Sequence, residues 1–316
     1  MNRKNLKIWW VLPAALLLAM LTACSPQQDE ALPGGGGPAL LGVDDVFITG
    51  TGSATRTNTL LAAGKLWLSI RNSNGYIARQ GLVYTYGGGA WNCPTSVILN
   101  ANPISLYAYY PQDKFGATGD VVSFSAREYS ADNDLCYATA SKADVNAANP
   151  GASFVLKHAY ARISLSVTRI ASFTGTGNIT GCGLKAGTGN IDLTGALDVN
   201  AGTITSSGAS NTGFSYGLNT TVAAGTANTA CDMLVPPQAT PADGLTITLT
   251  IDGNARSVTI PKDKFGDALK ANTRYTISLE IEGKATLVVA AGTVTETGWK
   301  EPTGGDFGGA EDSAPI

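Results

Sequence analysis

The sequence predicts an all-β chain organised as β-sandwiches. Apolar residues recur with period two along most of its length, as in Leu66, Leu68 and Ile70 or Ile163, Leu165 and Val167. Turn-forming clusters such as Asn74-Gly75 and Asp252-Gly253-Asn254 separate these runs at short intervals. Composition agrees: charged residues are 14% and glycines number 38 of 316, against about 25% charged and 7% Gly in average domains. Many short strands joined by glycine turns produce that balance.

The first element is a leader. Arg3, Lys4 and Lys7 precede an apolar stretch from Ile8 to Met20, and small residues lead to Cys24. The stretch is shorter than the roughly 20 residues of a membrane-spanning helix, and Pro13 interrupts it. Residues 1–23 therefore read as a signal peptide. Leu21-Thr22-Ala23-Cys24 resembles the lipobox of bacterial lipoproteins. That resemblance implies cleavage before Cys24 and acylation of its thiol. Each buried methylene of an acyl chain contributes about 0.8 kcal/mol, so several chains anchor a protein stably. Residues 24–39 form a tether. Asp29-Glu30 and Gly34 to Gly37 cannot bury apolar surface. The acidic pair resembles the signal that sends some lipoproteins to the outer face of the outer membrane.

Strands follow. Val43 to Thr51 is the first candidate. Leu66 to Ile70 alternates, and Tyr84-Thr85-Tyr86 runs into a Gly87-Gly88-Gly89 turn and Trp91. Ile104, Leu106, Ala108 and Tyr110 alternate until Pro111 ends the strand. Val121 to Tyr129 is another. Ser130 to Pro150, polar and rich in Ala, Asn and Asp, reads as a long connection with at most one helical turn.

In the second half, Ile163, Leu165 and Val167 define one strand face. Short Gly/Thr-rich strands continue to Asn219. Leu245 to Ile251 alternates strictly and pairs through Asp252-Gly253-Asn254 with Ser257 to Ile260 as a hairpin. Only Asp263 to Ala271 has a brief helical pattern. Tyr275, Ile277, Leu279 and Ile281 alternate again, and Gly283-Lys284 turns into Leu287-Val288-Val289. The pattern divides at 40–152 and 153–316 into an N-terminal and a C-terminal sandwich.

The net charge of −3 and the lack of a Lys/Arg stripe argue against nucleic acid as a partner. No Gly-x-x-x-x-Gly-Lys-Ser/Thr loop is present, and Gly87-Gly88-Gly89 is a hairpin turn. His158 is the only histidine; no neighbouring pattern gives it a nucleophile or metal partner, so its expected role is structural. No enzymatic activity, cofactor or metal is expected. After Cys24 the cysteines are Cys93, Cys136, Cys182 and Cys231. Their wide spacing is not that of a zinc site. They form one or more disulfides, with three possible pairings, or stay free and buried. Tyr84, Tyr86, Trp91, Tyr107, Tyr109 and Tyr110 are assigned to the core and its rim, with sugar stacking as the alternative.

An ordered set of segments resembles the fimbrillin-like proteins of type V pili. The set is the lipobox, Leu106-Tyr107-Ala108-Tyr109-Tyr110-Pro111, Asp134-Leu135, His158-Ala159-Tyr160-Ala161-Arg162-Ile163-Ser164-Leu165, Leu234-Val235-Pro236-Pro237-Gln238, Leu269 to Ile277, and Val294 to Trp299. Asn272 stands where the family often has Gly; Asn also tolerates turn geometry. The resemblance implies two tandem transthyretin-like β-sandwiches and a surface lipoprotein precursor. It implies an Arg-specific protease that removes the N-terminal segment with its first strand, and a neighbouring pilin subunit whose C-terminal strand fills the groove.

Arg56 is the first Lys or Arg after Cys24 and follows the first strand, so it is the expected cleavage site. Leu287, Val289 and Val294 are the expected donor-strand face, with a one-residue bulge at Gly292 bringing Val294 into line. A pilus subunit, homo- or hetero-polymeric, is the expected function. The alternative is an outer-membrane lipoprotein that binds a host or bacterial surface glycan without polymerising.

Overall fold

The computed structural model describes residues 39–49, 58–138, 144–284 and 286–299. Regular structure among them is strand, apart from two single-turn 3-10 helices. The first strands are β1 (Gly42–Ile48), β2 (Thr59–Leu60), β3 (Lys65–Ile70), β4 (Arg79–Gly87), β5 (Ala90–Asn92) and β6 (Leu106–Tyr110). Next come β7 (Ala117–Thr118), β8 (Val121–Ser125), β9 (Arg127–Glu128), β10 (Cys136–Ala138), β11 (Gly151–His158) and β12 (Ala161–Arg169). β13 (Asn178–Ala186), β14 (Ile191–Asp198), β15 (Thr203–Ser210), β16 (Phe214–Thr221) and β17 (Ala227–Val235) follow. The last are β18 (Gln238–Ala239), β19 (Leu245–Ile251), β20 (Asn254–Ile260), β21 (Ala268–Leu269), β22 (Thr273–Glu282) and β23 (Thr286–Gly298).

The N-terminal sheet has the order β11-β10-β6-β3-β4-β5-β1-β2, and β11 also pairs with β1. The sheet thus joins itself and encloses a core of Val46, Leu66, Leu68, Leu106, Phe154 and Leu156, among others. In the C-terminal part, the sheet β23-β22-β12-β17-β9 and the sheet β16-β13-β19-β20 share a second core. Ile163, Leu165, Ile247, Leu249 and Ile277 are fully buried there. Period two decides this: each strand sends alternate side chains inward. β22 keeps that alternation over all ten of its residues.

A third core joins the two. Trp67, Tyr107, Tyr109 and Tyr137, on the outside of the N-terminal sheet, pack with Phe124, Leu197, Tyr160, Leu234 and Trp299. The sheet β15-β14-β8-β7 covers this face. Both faces of β3 are therefore buried, and Leu66 to Ile70 contains no exposed residue.

Three features differ from the sequence reading. The polar connection at Ser130 to Pro150 contains β10, a strand bonded between β6 and β11. A three-residue strand is too short to show alternation. The 152/153 boundary falls inside β11, whose partners are β10 and β1. β8 and β9 pair with β14 and β17, so strands cross between the halves. The turns match: Asp252 and Gly253 have φ of 48° and 77°, and Asn272 has φ of 58°.

Candidate functional site

β1 occupies a slot rather than an edge. On one side it runs parallel to β11 from Gly42↔Gly151 to Ile48↔Leu156, with a bulge between Val43 and Asp45. On the other side it meets β5 at Val43↔Trp91 and β2 at Phe47↔Leu60 and Ile48↔Thr59. Flanking bonds extend the seat: Gly42 N–H donates to Pro150 O at 3.0 Å, and Thr49 N–H to Leu156 O at 2.7 Å. A Cβ on Gly151 would lie 1.9 Å from Asp44 Oδ2, so glycine leaves room for that carboxylate to lie over β11.

Val43, Val46 and Ile48 project into the N-terminal core. Each such side chain contributes about 1.5–3 kcal/mol by leaving water. Behind them sits Tyr84, whose hydroxyl donates to Leu41 O at 3.3 Å. Burial, and secondly Cys93, pushes its phenol up to about 12. Without β1, the floor of the slot would be Phe154, Leu156, Tyr84 and Trp91, with the backbone groups of β11 and β2 unpaired along its walls.

β23 is an edge strand, bonded antiparallel to β22 alone. Leu287, Val289 and Val294 stand opposite Ile281, Leu279 and Ile277, so all three share the inward face. Leu287 is buried, Val294 is partly buried against the same core, and Val289 is 37% exposed. The register shift lies where glycine placed it, but it is wider than one residue: β23 takes five steps from Val289 to Val294 where β22 takes two from Leu279 to Ile277.

Just past β23, Trp299 is fully buried. It stacks on the His158 ring, centroids 4.1 Å apart at 4°, and meets Tyr129 edge-on at 5.8 Å. The Arg162 guanidinium lies 3.5 Å from the Tyr129 centroid and 5.4 Å from that of Trp299. Arg162 also grips Asp232 with two nitrogens, at 3.1 and 2.8 Å.

Cys24 and Arg56 lie outside the described residues. None of the four later cysteines is in a disulfide. Cys136, Cys182 and Cys231 are buried and Cys93 is half-buried; burial, followed by Cys182, pushes the Cys231 thiol well up. Tyr84 and Trp91 are in the N-terminal core, Tyr107 and Tyr109 in the third, and Tyr86 and Tyr110 at the rim. His158 does have partners. Nδ1 is 2.5 Å from Asp134 Oδ2 and 3.4 Å from Cys136 Sγ. Sequence reasoning missed them because they lie more than twenty positions away, on and just before the strand hidden in the polar connection.

Comparison with known proteins places this architecture. No protein of curated function matches the chain. Among solved structures, a candidate cell adhesion protein of Bacteroides uniformis is 19% identical, with a TM-score of 0.60 over 81% of this chain and 99% of that one. A second, from Bacteroides ovatus, is 15% identical with a TM-score of 0.61 over 84% and 98%. A fimbrial protein of Bacteroides vulgatus is 15% identical with a TM-score of 0.51 over 83% and 99%. At these identities the likeness is one of fold. The fimbrillin-like family profile matches residues 45–299, spanning both cores and ending on the buried Trp299. The chain belongs to the fimbrillin-like family.

Proposed function

We infer that this protein is a subunit of a cell-surface type V pilus, assembled by exchange of strands between copies or related subunits. The precursor is held on the outer membrane through acylated Cys24. An Arg-specific protease cuts after Arg56 in the segment between β1 and β2. The cut frees the leader, tether and β1 together and leaves β2 in place. The N-terminal unit, carried past 40–152 to the end of β11, then acts as the acceptor, and the remainder of 153–316 as the donor unit of a tandem pair. The donor face is Leu287, Val289 and Val294.

One observation carries this reading. β1 comes from the start of the chain, yet it lies between two neighbours and plugs a core. Removing it would leave an apolar trough with unpaired backbone on both walls, and another extended segment satisfies both needs at once. The contact is head-to-tail and need not close on itself, so it propagates into a filament. The glycan-binding alternative has less support, because the aromatic side chains that would stack on sugars are spent in cores and rims.

The test uses protease-trimmed protein and a synthetic peptide covering residues 286–299. The trimmed chain should capture the peptide and stop forming detergent-resistant ladders, while the uncut chain ignores it. A trimmed chain that binds no peptide and forms no ladders contradicts strand exchange. Retention of the uncut chain on a glycan surface would then favour the alternative.

A further inference from the structure

We propose that Asp134, Cys136 and His158 form a structural binding site for one divalent transition metal of the zinc class. Backbone pairing builds the site. Cys136 and His158 are direct partners across the antiparallel β10–β11 pair, so their side chains leave the same face. Asp134 is two residues before Cys136, with extended backbone at φ −94° and ψ 110°, and so joins that face. Leu135 O, between the two, accepts Ala159 N–H at 2.7 Å, and the His158 N–H donates to Asn272 Oδ1 at 3.2 Å. The three side chains are held by hydrogen-bonded backbone on both sides.

One ligand atom from each residue lies within 4.8 Å of the other two, and all three residues are buried. A carboxylate, a thiol and an imidazole form the donor set that borderline-soft divalent ions take. A second observation points the same way. Asp134 Oδ1 is buried without a hydrogen-bond partner. An unsatisfied buried carboxylate oxygen is costly. A divalent cation removes that cost: the carboxylate and a thiolate together neutralise it, and Oδ1 becomes available as a further ligand.

The chemistry balances simply. The ion enters, one proton leaves from the Cys136 thiol, and the ring proton of His158 sits on Nε2, so that Nδ1 binds as a neutral imidazole nitrogen. The donors must open slightly. Nδ1 and Oδ2 are now 2.5 Å apart. Ligands at zinc bond lengths stand about 3.3 Å apart in a tetrahedron. A small turn of the carboxylate supplies the difference. Trp299, stacked flat on the imidazole, and the aromatic core around Leu135 keep water out. The metal is therefore taken up as the chain folds, and it ties β10 to β11 where the C-terminal Trp299 packs.

The experiment uses the full chain carrying Cys93→Ser, which removes the half-buried thiol, produced with zinc, with cobalt(II) or with a chelator. Native mass should show one zinc per chain. The cobalt form should show a thiolate-to-cobalt charge-transfer band, and zinc should raise the melting temperature. Adding Cys136→Ser, or separately His158→Gln, should abolish the band and the zinc-dependent rise. A chain that folds in the presence of zinc and carries none overturns the proposal. So does a band or a zinc-dependent rise that survives Cys136→Ser. If Cys136→Ser does not fold, the native mass of the Cys93→Ser chain decides alone.

Discussion

β1 and β23 are the first and last strands of the described chain, and both carry an apolar face, yet the fold uses them differently. β1 is hydrogen-bonded on both edges and closes a ring. β23 is bonded on one edge and adds a border to a sheet that β22, β12 and β17 already define. Withdrawing β1 leaves a trough. Withdrawing β23 takes Leu287 from the second core and draws Trp299 out of the third, but it opens an edge rather than a slot, and the two facing sheets remain. Under the strand exchange proposed above, this contrast would give a subunit a direction, with the slot of β1 accepting and β23 lent.

The largest effect expected within this contrast comes from removing β1 altogether. Trypsin-like cleavage after Arg56, followed by separation of the fragment, should expose the N-terminal core to a hydrophobic dye. The C-terminal sandwich should keep its protection from hydrogen exchange. Loss of protection throughout β12, β19 and β22 would mean that the third core makes the halves inseparable, and the contrast would fail.

Trp299→Ala comes next. It empties a fully buried site packed on His158 and Arg162, and should cost about 3–5 kcal/mol in chemical denaturation. The loosening should appear first in β23, seen as faster exchange there. A slot strand should be less forgiving than an edge strand at matched substitutions. Val46→Ala, fully buried on β1, should cost roughly 1.5–3 kcal/mol. Val289→Ser, 37% exposed on β23, should change monomer stability by under about 0.5 kcal/mol yet weaken ladders of the assembled protein. Equal costs at the two sites would erase the distinction.

The smallest effect is one of pH. Burial pushes Tyr84 and Tyr109 up to about 12. Folded-state values above the usual tyrosine range mean that their contribution is complete below about pH 10 and fades as pH rises toward 12. Burial also pushes up Tyr216, Tyr275 and the Cys231 thiol in the C-terminal sandwich, so alkaline titration should loosen the N-terminal ring and the C-terminal sandwich together. Undiminished hydrogen-exchange protection of either part at about pH 12 would contradict that.

Period-two alternation, written out in Leu66–Ile70, Ile163–Val167, Leu245–Ile251 and Tyr275–Ile281, made the strands and the all-β class legible in the sequence. The turn at Asp252-Gly253 and the left-handed Asn272 were legible because few residues adopt positive φ. The inward face of β23 was readable too, although the size of its bulge was not, since a bulge is fixed by the partner strand. Pairing between distant segments stayed hidden. β10 is too short to declare a period. Nothing local tells Trp67 or Tyr109 that the sheet containing β14 will cover the second face of β3 and β6. His158 met Asp134 and Cys136 only once β10 lay beside β11.

The most direct test of the central claim, that β1 is a plug removed so that another strand can enter, is the N-terminal sequence of subunits purified from assembled filaments. The account predicts a start at Thr57, directly after Arg56, with residues 42–48 missing from every assembled copy. Filament subunits that begin at Cys24 and retain β1 would contradict it.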